Sequence, residues 1–316
     1  SCFIKEEVTA HYKGEFSDIQ NNHWLSLFDV DRSCILDPLT QPLPFTPFKD
    51  FTGRSINEIN LYSTEMSSAL CSIDRVSASA NMNNRLSEAI VEAYKSTNGA
   101  PISFELMLKC YQSRMKDANN DDSISSVLKQ LVNAHIFESE DKVSLIDDSY
   151  IIKMDGYPKD GPIAKAIVYF LMSKLNNIYE LLDKQAVNDE VVQIRHFSII
   201  DEAHYMLDFD NRPLRNLIAV GRNKGLSIIL ATQNMSSFKS KGFDFYANAQ
   251  YPLIMKQQTI DDKVIKDLFG VSGQELQEIR TAIAGLQKGE LIIKDQMAFA
   301  LGMGNKYKKI NVTHLI

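Results

Sequence analysis

The sequence predicts an α/β protein whose central sheet is mostly parallel and flanked by helices. Two short apolar runs, 196–200 and 226–231, are rich in β-branched residues and are followed by polar side chains. Such runs have the composition of strands that are buried on both faces, as parallel strands are. A strand candidate at 149–154 and a long amphipathic helix that begins at Pro162 precede the first run. Strand, long helix and strand in this order form the crossover unit of a parallel sheet.

Length, composition and charge are those of an ordinary globular protein. The 316 residues can bury the core of one large domain or of two modest ones. Hydrophobic residues make up 44% of the chain and charged residues 23%, which is typical of globular proteins. No run of about 18 apolar residues occurs, so no membrane partner is expected. The formal net charge of −6 argues against a uniformly basic nucleic-acid-binding protein but allows a local basic channel.

The cysteine spacing predicts the redox state of the thiols, and the first residues predict whether the chain is part of a longer protein. The four cysteines lie far apart and form no C-x-x-C pair, so we expect reduced thiols rather than a zinc site: Cys2, Cys34, Cys71 and Cys110. The chain starts at Ser1 with neither an initiator methionine nor an apolar signal core. We therefore expect a piece of a longer, cytoplasmic protein.

The spacing of apolar residues and of prolines predicts that the chain has three regions. Residues 1–54 are predicted to be the N-terminal part of the α/β core, ending in a proline-rich connector at 37–47 that cannot be helical. Residues 55–140 carry apolar residues at helical spacing and predict an all-helical insertion. Residues 141–316 predict the rest of the core, including both strands that end in polar residues.

The last region also contains the remaining predicted elements. A helix is predicted near 212–223, and the Ser-, Lys- and Asn-rich stretch 234–248 predicts an irregular, exposed segment. Ser272 and Glu275 match the capping box that opens a helix. The other predictions are short strands at 143–146, 251–256 and 289–294, helices at 261–269 and 272–283, and a basic segment at 303–309.

The polar residues after the two buried strands are the candidate site. Asp201 and Glu202 follow the first strand, and Gln233 ends the second. Carboxyl ends of parallel strands are where open α/β folds bind ligands. Asp201 would hold a magnesium ion, Glu202 would orient or deprotonate the water that attacks a γ-phosphate, and Gln233 would sense that phosphate. A bare Asp-Glu pair is more often an acidic turn, and the second polar-tipped strand is what favours the functional interpretation.

Three stretches resemble the HerA/FtsK branch of RecA-like P-loop ATPases, which are ring-forming DNA translocases. They are Tyr12-Lys-Gly-Glu15-Phe, the strand and acids at 198–204, and the Gly-Arg-Asn-Lys-Gly segment with the following strand at 221–233. The resemblance runs from about residue 8 to residue 295. It implies a RecA-like sheet with a helical insertion, ATP and Mg²⁺ as cofactors, double-stranded DNA as partner and self-association in a ring.

The resemblance also implies roles for single residues. Asp201 would be the magnesium carboxylate, Glu202 the catalytic base and Gln233 the γ-phosphate sensor. Arg222 would be the arginine that reaches a neighbouring subunit's nucleotide, although a helix-end arginine explains it equally well. Glu15 would lie near the nucleotide, but His11 stands where relatives have aspartate. His204 is interpreted as a structural histidine beside the site.

A narrower resemblance is to the helicase-like subunits of phosphorothioation-dependent DNA restriction. It rests on the proline-rich stretch 36–45 and on the helix that follows Pro162. This resemblance implies a role in DNA restriction or defence, with other subunits of such a complex as partners.

The phosphate loop of P-loop ATPases is absent from the sequence. No G-x-x-x-x-G-K-[ST] occurs, and the Lys13-Gly14 and Lys224-Gly225 pairs lack the glycine loop. We expect the loop to lie just before residue 1 of a longer protein, and this chain alone to hydrolyse ATP very poorly.

Two other functions remain open. Asp201 to His204 spell the DEAH box of superfamily 2 helicases, with Ala231-Thr232 near their Ser-Ala-Thr motif, but no arginine-rich motif follows. The chain could instead be a degenerate, non-catalytic ATPase fold used for binding or scaffolding, which the missing phosphate loop supports.

Overall fold

The structure is a computed structural model. It describes residues 35–73, 78–116, 121–188, 191–207, 209–233, 235–240, 243–249, 251–295 and 306–311. The chain forms two compact units, with the boundary between Ala231 and Thr232. The three regions predicted from the sequence, 1–54, 55–140 and 141–316, remain predictions.

Parallel strand pairs form the sheet of the first unit. β1 (Ile35–Leu36) pairs with β2 (Ile151–Ile152), and Ile35 faces Ile151. β5 (His196–Ile200) pairs with β6 (Leu226–Leu230) over five residues. Parallel pairing agrees with the sheet predicted from the apolar runs. A small antiparallel hairpin, β3 (Val187–Asn188) with β4 (Val191–Val192), precedes β5.

Among the described residues, four helices lie between β1 and β2 in the chain. They are α1 (Ile56–Ile73), α2 (Ala80–Ser96), α3 (Phe104–Gln112) and α4 (Ser123–Ala134). We call residues 56–134 the helical block. Side chains that cap the first turns explain where three of these helices begin: Ser79, Ser103 and Asp122 accept hydrogen bonds from backbone N–H groups. The predicted strand at 143–146 is absent, because these residues form turns in which Leu145 is buried.

A long helix, α5 (Pro162–Leu181), is the centre of the first unit. Pro162 occupies its first turn, where the missing N–H leaves no hydrogen bond unmade. The helix is buried on almost every side, and Phe170 meets an aromatic cluster beside the helical block. Its ring centroid lies 5.6 Å from Phe48, 5.2 Å from Phe104 and 5.8 Å from Phe137. This apolar cluster joins the helical block to the sheet-bearing part of the unit.

Between β5 and β6 the chain forms two helices and a 3₁₀ turn. α6 (His204–Leu207) follows the candidate site, and α7 (Arg212–Val220) packs on α5. Asn211 caps α7 by accepting from the N–H of Leu214 at 3.2 Å. The 3₁₀ turn Gly221–Lys224 then leads directly into β6.

The second unit has an antiparallel sheet in the order β11–β10–β9 and its own apolar core. The strands are β9 (Leu253–Met255), β10 (Glu290–Lys294) and β11 (Tyr307–Asn311), and the helices are α9 (Asp262–Phe269) and α10 (Gly273–Ala284). Val264, Phe269, Ile283 and Ile292 are fully buried between these elements. The unit therefore buries a hydrophobic core independently of the first unit.

Two sequence expectations for the second unit were wrong. The stretch 234–248 contains a 3₁₀ turn at Met235–Phe238, a hairpin of β7 (Lys239–Ser240) with β8 (Phe243–Asp244), and α8 (Phe245–Asn248). Its aromatic residues contact one another, and Phe245 is buried. The capping box at α10 is also absent, because Ser272 makes no side-chain cap and Glu275 pairs with Lys306 at 3.2 Å.

Within the residues that the structure describes, no helix is both long and apolar enough to cross a membrane.

Candidate functional site

The end of β5 brings Asp201 and Glu202 to the carboxyl edge of the parallel pair. The N–H of Ala231 donates to the carbonyl of Ile200 at 2.9 Å, and the N–H of Ala203 donates to the carbonyl of Ala231 at 2.8 Å. These two bonds continue the ladder past the ends of β5 and β6. The two acids therefore lie in a turn that is fixed on both sides by backbone hydrogen bonds to the end of β6.

Glu202 is held in an unusual backbone conformation. Its φ angle is 50°, which lies in the left-handed region. Residues other than glycine avoid this region because adopting it costs about 1–2 kcal/mol. Its N–H donates to Asp201 Oδ1 at 2.8 Å, and its side chain is buried. Non-glycine residues in this conformation persist where the surroundings impose them, and they cluster at functional sites.

His204 lies against the Glu202 carboxylate. Its Nδ1 is 3.3 Å from Glu202 Oε2, and its ring centroid is 4.0 Å from that of Tyr205. The imidazole thus stands beside the buried carboxylate as the first residue of α6. The interpretation of His204 as a structural histidine beside the site stays a prediction.

Arg222 lies at the opposite edge of the strand pair. It is exposed in the 3₁₀ turn that precedes β6, whereas Asp201 follows the carboxyl end of β5. A strand of five residues spans about 16 Å, so Arg222 is too far away for a direct contact with Asp201 of its own chain. In the described part of the chain its guanidinium has no ion-pair partner.

The turn that carries Arg222 is firmly attached to the neighbouring elements. Lys224 Nζ donates to the carbonyls of Tyr179 at 2.5 Å and Glu180 at 3.1 Å, at the end of α5. Gly225 has a φ of 83°, and an added Cβ would lie 2.8 Å from the carbonyl oxygen of Gln193. Only glycine fits this turn, which fixes the backbone next to Arg222.

The sequence predictions for two further site residues are not tested by the described part of the structure. Gln233 is exposed and belongs to the second unit, two residues after Ala231. Glu15 lies outside the described residues, as does the whole Tyr12–Phe16 stretch. Their roles near a nucleotide remain predictions.

A buried histidine inside β5 was missed by the sequence analysis. His196 is the first residue of the strand, and burial lowers its pKa to about 4. Its ring stacks on Tyr179 of α5 with the centroids 6.4 Å apart. The strand that delivers the acids therefore contains a neutral imidazole at neutral pH. Only the alternation of buried positions in β5, His196, Ser198 and Ile200, could have indicated this from the sequence.

The carboxylates suit magnesium, which prefers oxygen ligands. Mg²⁺ is usually held by one or two carboxylates together with water and substrate phosphates. The hydrogen bond from Glu202 uses only one oxygen of Asp201. Among the described residues no group of three or more His, Cys, Asp or Glu side chains could hold a metal. A magnesium ion at Asp201 would therefore need oxygens from water and a nucleotide.

Comparison with known proteins identifies the fold. No family model matches the sequence, and no curated protein sequence matches it. Among solved structures, VirB4 of Thermoanaerobacter pseudethanolicus matches with a TM-score of 0.60 and 16% identity, over 88% of this chain and 76% of VirB4. The chain has a RecA-like α/β fold. The fold class predicted from the sequence is thereby confirmed.

A second similar structure is that of a conjugative coupling protein. TrwBΔN70 in complex with sulphate matches with a TM-score of 0.53 and 14% identity, over 93% of this chain and 76% of the TrwBΔN70 chain. Identities this low establish the fold alone.

Proposed function

We propose that this chain is part of the ATP-hydrolysing core of a HerA/FtsK-type motor that moves double-stranded DNA. The observation that carries the proposal is the buried Glu202 beside Asp201 at the carboxyl end of a parallel strand, within a RecA-like fold. Ligands of open α/β folds bind at this edge of the sheet. The cofactors of the proposed reaction are ATP and Mg²⁺.

The two carboxylates have different surroundings that suit different tasks. Asp201 is half-buried and accepts one backbone hydrogen bond, so it can face a hydrated Mg²⁺, which would neutralise charge on the phosphates. Glu202 is more deeply buried and is held by the His204 contact and by its fixed backbone. A carboxylate that is fixed in this way can accept a hydrogen bond from the attacking water and orient it in line with the γ-phosphate. His204 would keep the carboxylate in place during that step.

The position of Arg222 supports self-association. Because the arginine lies about one strand length from the acids of its own chain, it can serve only the nucleotide of another copy. A ring in which each amino edge faces the next carboxyl edge would bring the two together, since head-to-tail contacts close into rings. Gln233 remains proposed as the residue that senses the γ-phosphate, and Glu15 as a residue near the nucleotide.

The biological setting that we propose is DNA restriction. The stretch 36–45 and the helix after Pro162 are similar to DptH, the helicase-like subunit of phosphorothioation-dependent restriction. On this proposal the chain works with the other subunits of a restriction complex, in the cytoplasm.

The central experiment is Glu202→Gln in a protein extended at the amino end to include a phosphate loop. The amide keeps the shape of the side chain but cannot accept a proton. We expect turnover to fall by about a hundredfold or more while ATP affinity is unchanged. Glu105→Gln is the matched control, because Glu105 is an exposed helical glutamate far from the acids in the sequence. ATP hydrolysis is measured with and without double-stranded DNA.

Three outcomes of this experiment would contradict the proposal or one of its expectations. Normal turnover by Glu202→Gln would make Glu202 an ordinary strand-end acid. An extended protein that neither binds nor hydrolyses ATP would favour the non-catalytic scaffold. Brisk hydrolysis by the 316-residue chain itself would contradict the expected need for a preceding phosphate loop.

A further inference from the structure

The segment that follows Glu202 ends in a polar cluster centred on Asp210. Asp210 contacts Arg212, with Nε 3.5 Å from Oδ2, and also Arg215 on the next turn of α7. Ser68 of α1 donates from Oγ to Asp210 Oδ2 at 3.2 Å. The N–H of Asp210 donates to Ser72 Oγ at 3.0 Å. We call these five residues, together with Glu65, the Asp210 cluster.

The α1 members of the cluster share one face of the helix. Glu65, Ser68 and Ser72 are spaced by three and four residues, which places their side chains in one row. Glu65 adds an ion pair to this cluster, with its Oε1 3.7 Å from Arg212 Nη1. The two serines lie 142 and 138 residues before Asp210, so these bonds connect parts of the chain that are remote in sequence. The cluster thus fastens the helical block to the segment that starts at Glu202.

The helical block has a second attachment of a different kind. Near α5 the contact is made by the closely packed rings of Phe48, Phe104, Phe137 and Phe170. Separating those rings would expose apolar surface to water. Separating Asp210 from the serines exchanges hydrogen bonds for bonds to water, at a much smaller loss. The Asp210 cluster is therefore the attachment that can open while the aromatic one stays closed.

Seven residues, of which the structure describes 203–207 and 209, link the Asp210 cluster to the candidate base. Only residues 203–209 separate Glu202 from Asp210, and they include the helical turn α6. Met206, Leu207 and Phe209 are buried, and the N–H of Met206 donates to the carbonyl of Ala203 at 2.8 Å. A short packed stretch transmits a displacement at one end to the other, because it has little room to absorb it.

We propose that Asp210 is a positioning residue that ties the geometry of Glu202 to the helical block. The surroundings of Glu202 impose its left-handed backbone conformation. The α1 helix, which is docked beyond α6, is part of these surroundings. A displacement of the helical block would then alter the rate of ATP turnover without any direct contact between the block and the nucleotide. The effect on turnover rests on the proposed ATPase function, whereas the structural coupling does not.

The structural arm of the test uses hydrogen–deuterium exchange on the 316-residue chain. Asp210→Ala removes the carboxylate contacts with Ser68, Arg212 and Arg215 but keeps the N–H that donates to Ser72. The double variant Ser68→Ala/Ser72→Ala removes both hydrogen bonds from the α1 side. We expect faster exchange at the amides of residues 203–207 in both. Thr64→Ala is the matched control, because Thr64 is exposed on α1 and, in the part of the chain that the structure describes, its hydroxyl bonds to Asn60 of the same helix. Unchanged exchange at 203–207 in the Asp210 and serine variants would overturn the proposal whether or not the protein is an ATPase.

The kinetic arm uses the extended protein that hydrolyses ATP. We expect Asp210→Ala to lower kcat by roughly tenfold to a hundredfold, the range for a misplaced catalytic group, with KM for ATP unchanged. Rates are expressed per bound nucleotide, so partial unfolding cannot imitate the result. Combining Asp210→Ala with Ser68→Ala should lower kcat no further than Asp210→Ala alone, because both remove one contact. A normal kcat for Asp210→Ala, in a protein that Glu202→Gln inactivates, would refute the positioning role and leave the ATPase proposal standing.

Discussion

The two ends of the β5–β6 pair each require a left-handed backbone residue, and the chain meets the requirement differently at each end. At the amino end the residue is Gly225, with a φ of 83°. At the carboxyl end it is Glu202, with a φ of 50°. Glycine adopts this conformation at no steric cost, whereas glutamate is destabilised by it. The difference indicates that the amino-end turn needs only its backbone, while the carboxyl-end turn keeps its side chain despite the strain.

The side chains at the two turns also differ in their exposure to solvent. Glu202 is buried and its position is fixed, as a group that must meet a small reacting molecule would be. Arg222 is exposed on a rigid turn, which suits a group that must meet another macromolecule. This contrast predicts two kinds of effect for substitutions at the amino end. Replacing Arg222 affects the assembled protein, whereas replacing Gly225 affects the fold.

The largest effect is expected from Arg222→Ala in the assembled, extended protein. Removal of an arginine that neutralises transferred phosphate should lower turnover by about a thousandfold. The unfolding free energy should change by less than about 0.5 kcal/mol, because the side chain is exposed and makes no ion pair among the described residues. Lys184→Ala is the control, because Lys184 is an exposed cation next to Gln185, which bonds to the same 3₁₀ turn.

Mixed assemblies test whether Arg222 acts on a neighbouring copy. Arg222→Ala subunits combined with Glu202→Gln subunits should recover part of the activity, since one interface then pairs an intact arginine with an intact base. Full activity of Arg222→Ala alone would leave only the helix-end explanation of this arginine.

The next effect concerns the fold at the amino end. Gly225→Ala should lower the unfolding free energy by about 2–3 kcal/mol, because it combines a left-handed alanine with a collision at the Gln193 carbonyl. Gly53→Ala is the matched variant, since Gly53 has a φ of 74° but nothing within 4 Å of an added Cβ. It should lose about 1 kcal/mol. Urea unfolding measures both, and equal losses would show that the collision is relieved by movement.

An effect of similar size is expected from pH through His196 in β5. Burial lowers its folded pKa to about 4, below the ordinary value of 6.5, so the unfolded chain binds the proton first as pH falls. The stabilising effect of the neutral imidazole is complete above pH 6.5 and is lost progressively down to about pH 4, by about 2–3 kcal/mol. Urea unfolding of the protein and of His196→Gln at pH 7 and pH 5 measures this. Equal sensitivity to pH in both proteins would contradict it.

The sequence predicted those elements whose determinants are local. The β-branched runs and the proline that opens α5 specified β5, β6 and the long helix, and strand order placed the acids at the carboxyl edge. Distant partners could not be predicted in this way. Ser272 and Glu275 satisfy the local capping pattern, yet Glu275 pairs with Lys306, 31 residues away. The bonds of Asp210 to Ser68 and Ser72 depend on how the helical block docks, and no local pattern contains that information.

The left-handed turn at Glu202 was equally invisible in the sequence, because glutamate gives no signal for it. Asparagine tolerates this conformation better than other side chains do, so one residue type can be tried at both ends of the strand pair. At the carboxyl end Glu202→Asn should raise the unfolding free energy by about 0.5–1 kcal/mol, although it would abolish turnover. At the amino end Gly225→Asn should lower it, because the added Cβ meets the Gln193 carbonyl.

Glu202→Gln separates the backbone effect from loss of the carboxylate. This variant removes the charge and weakens the contact with His204 Nδ1, but it retains a long side chain at a φ of 50°. The difference in unfolding free energy between Glu202→Asn and Glu202→Gln therefore reports the strain of the left-handed turn. Urea unfolding of the three proteins at pH 7 gives this difference. If asparagine and glutamine proved equally stable, strain would be negligible at Glu202, and the contrast between the two ends would reduce to burial and charge alone.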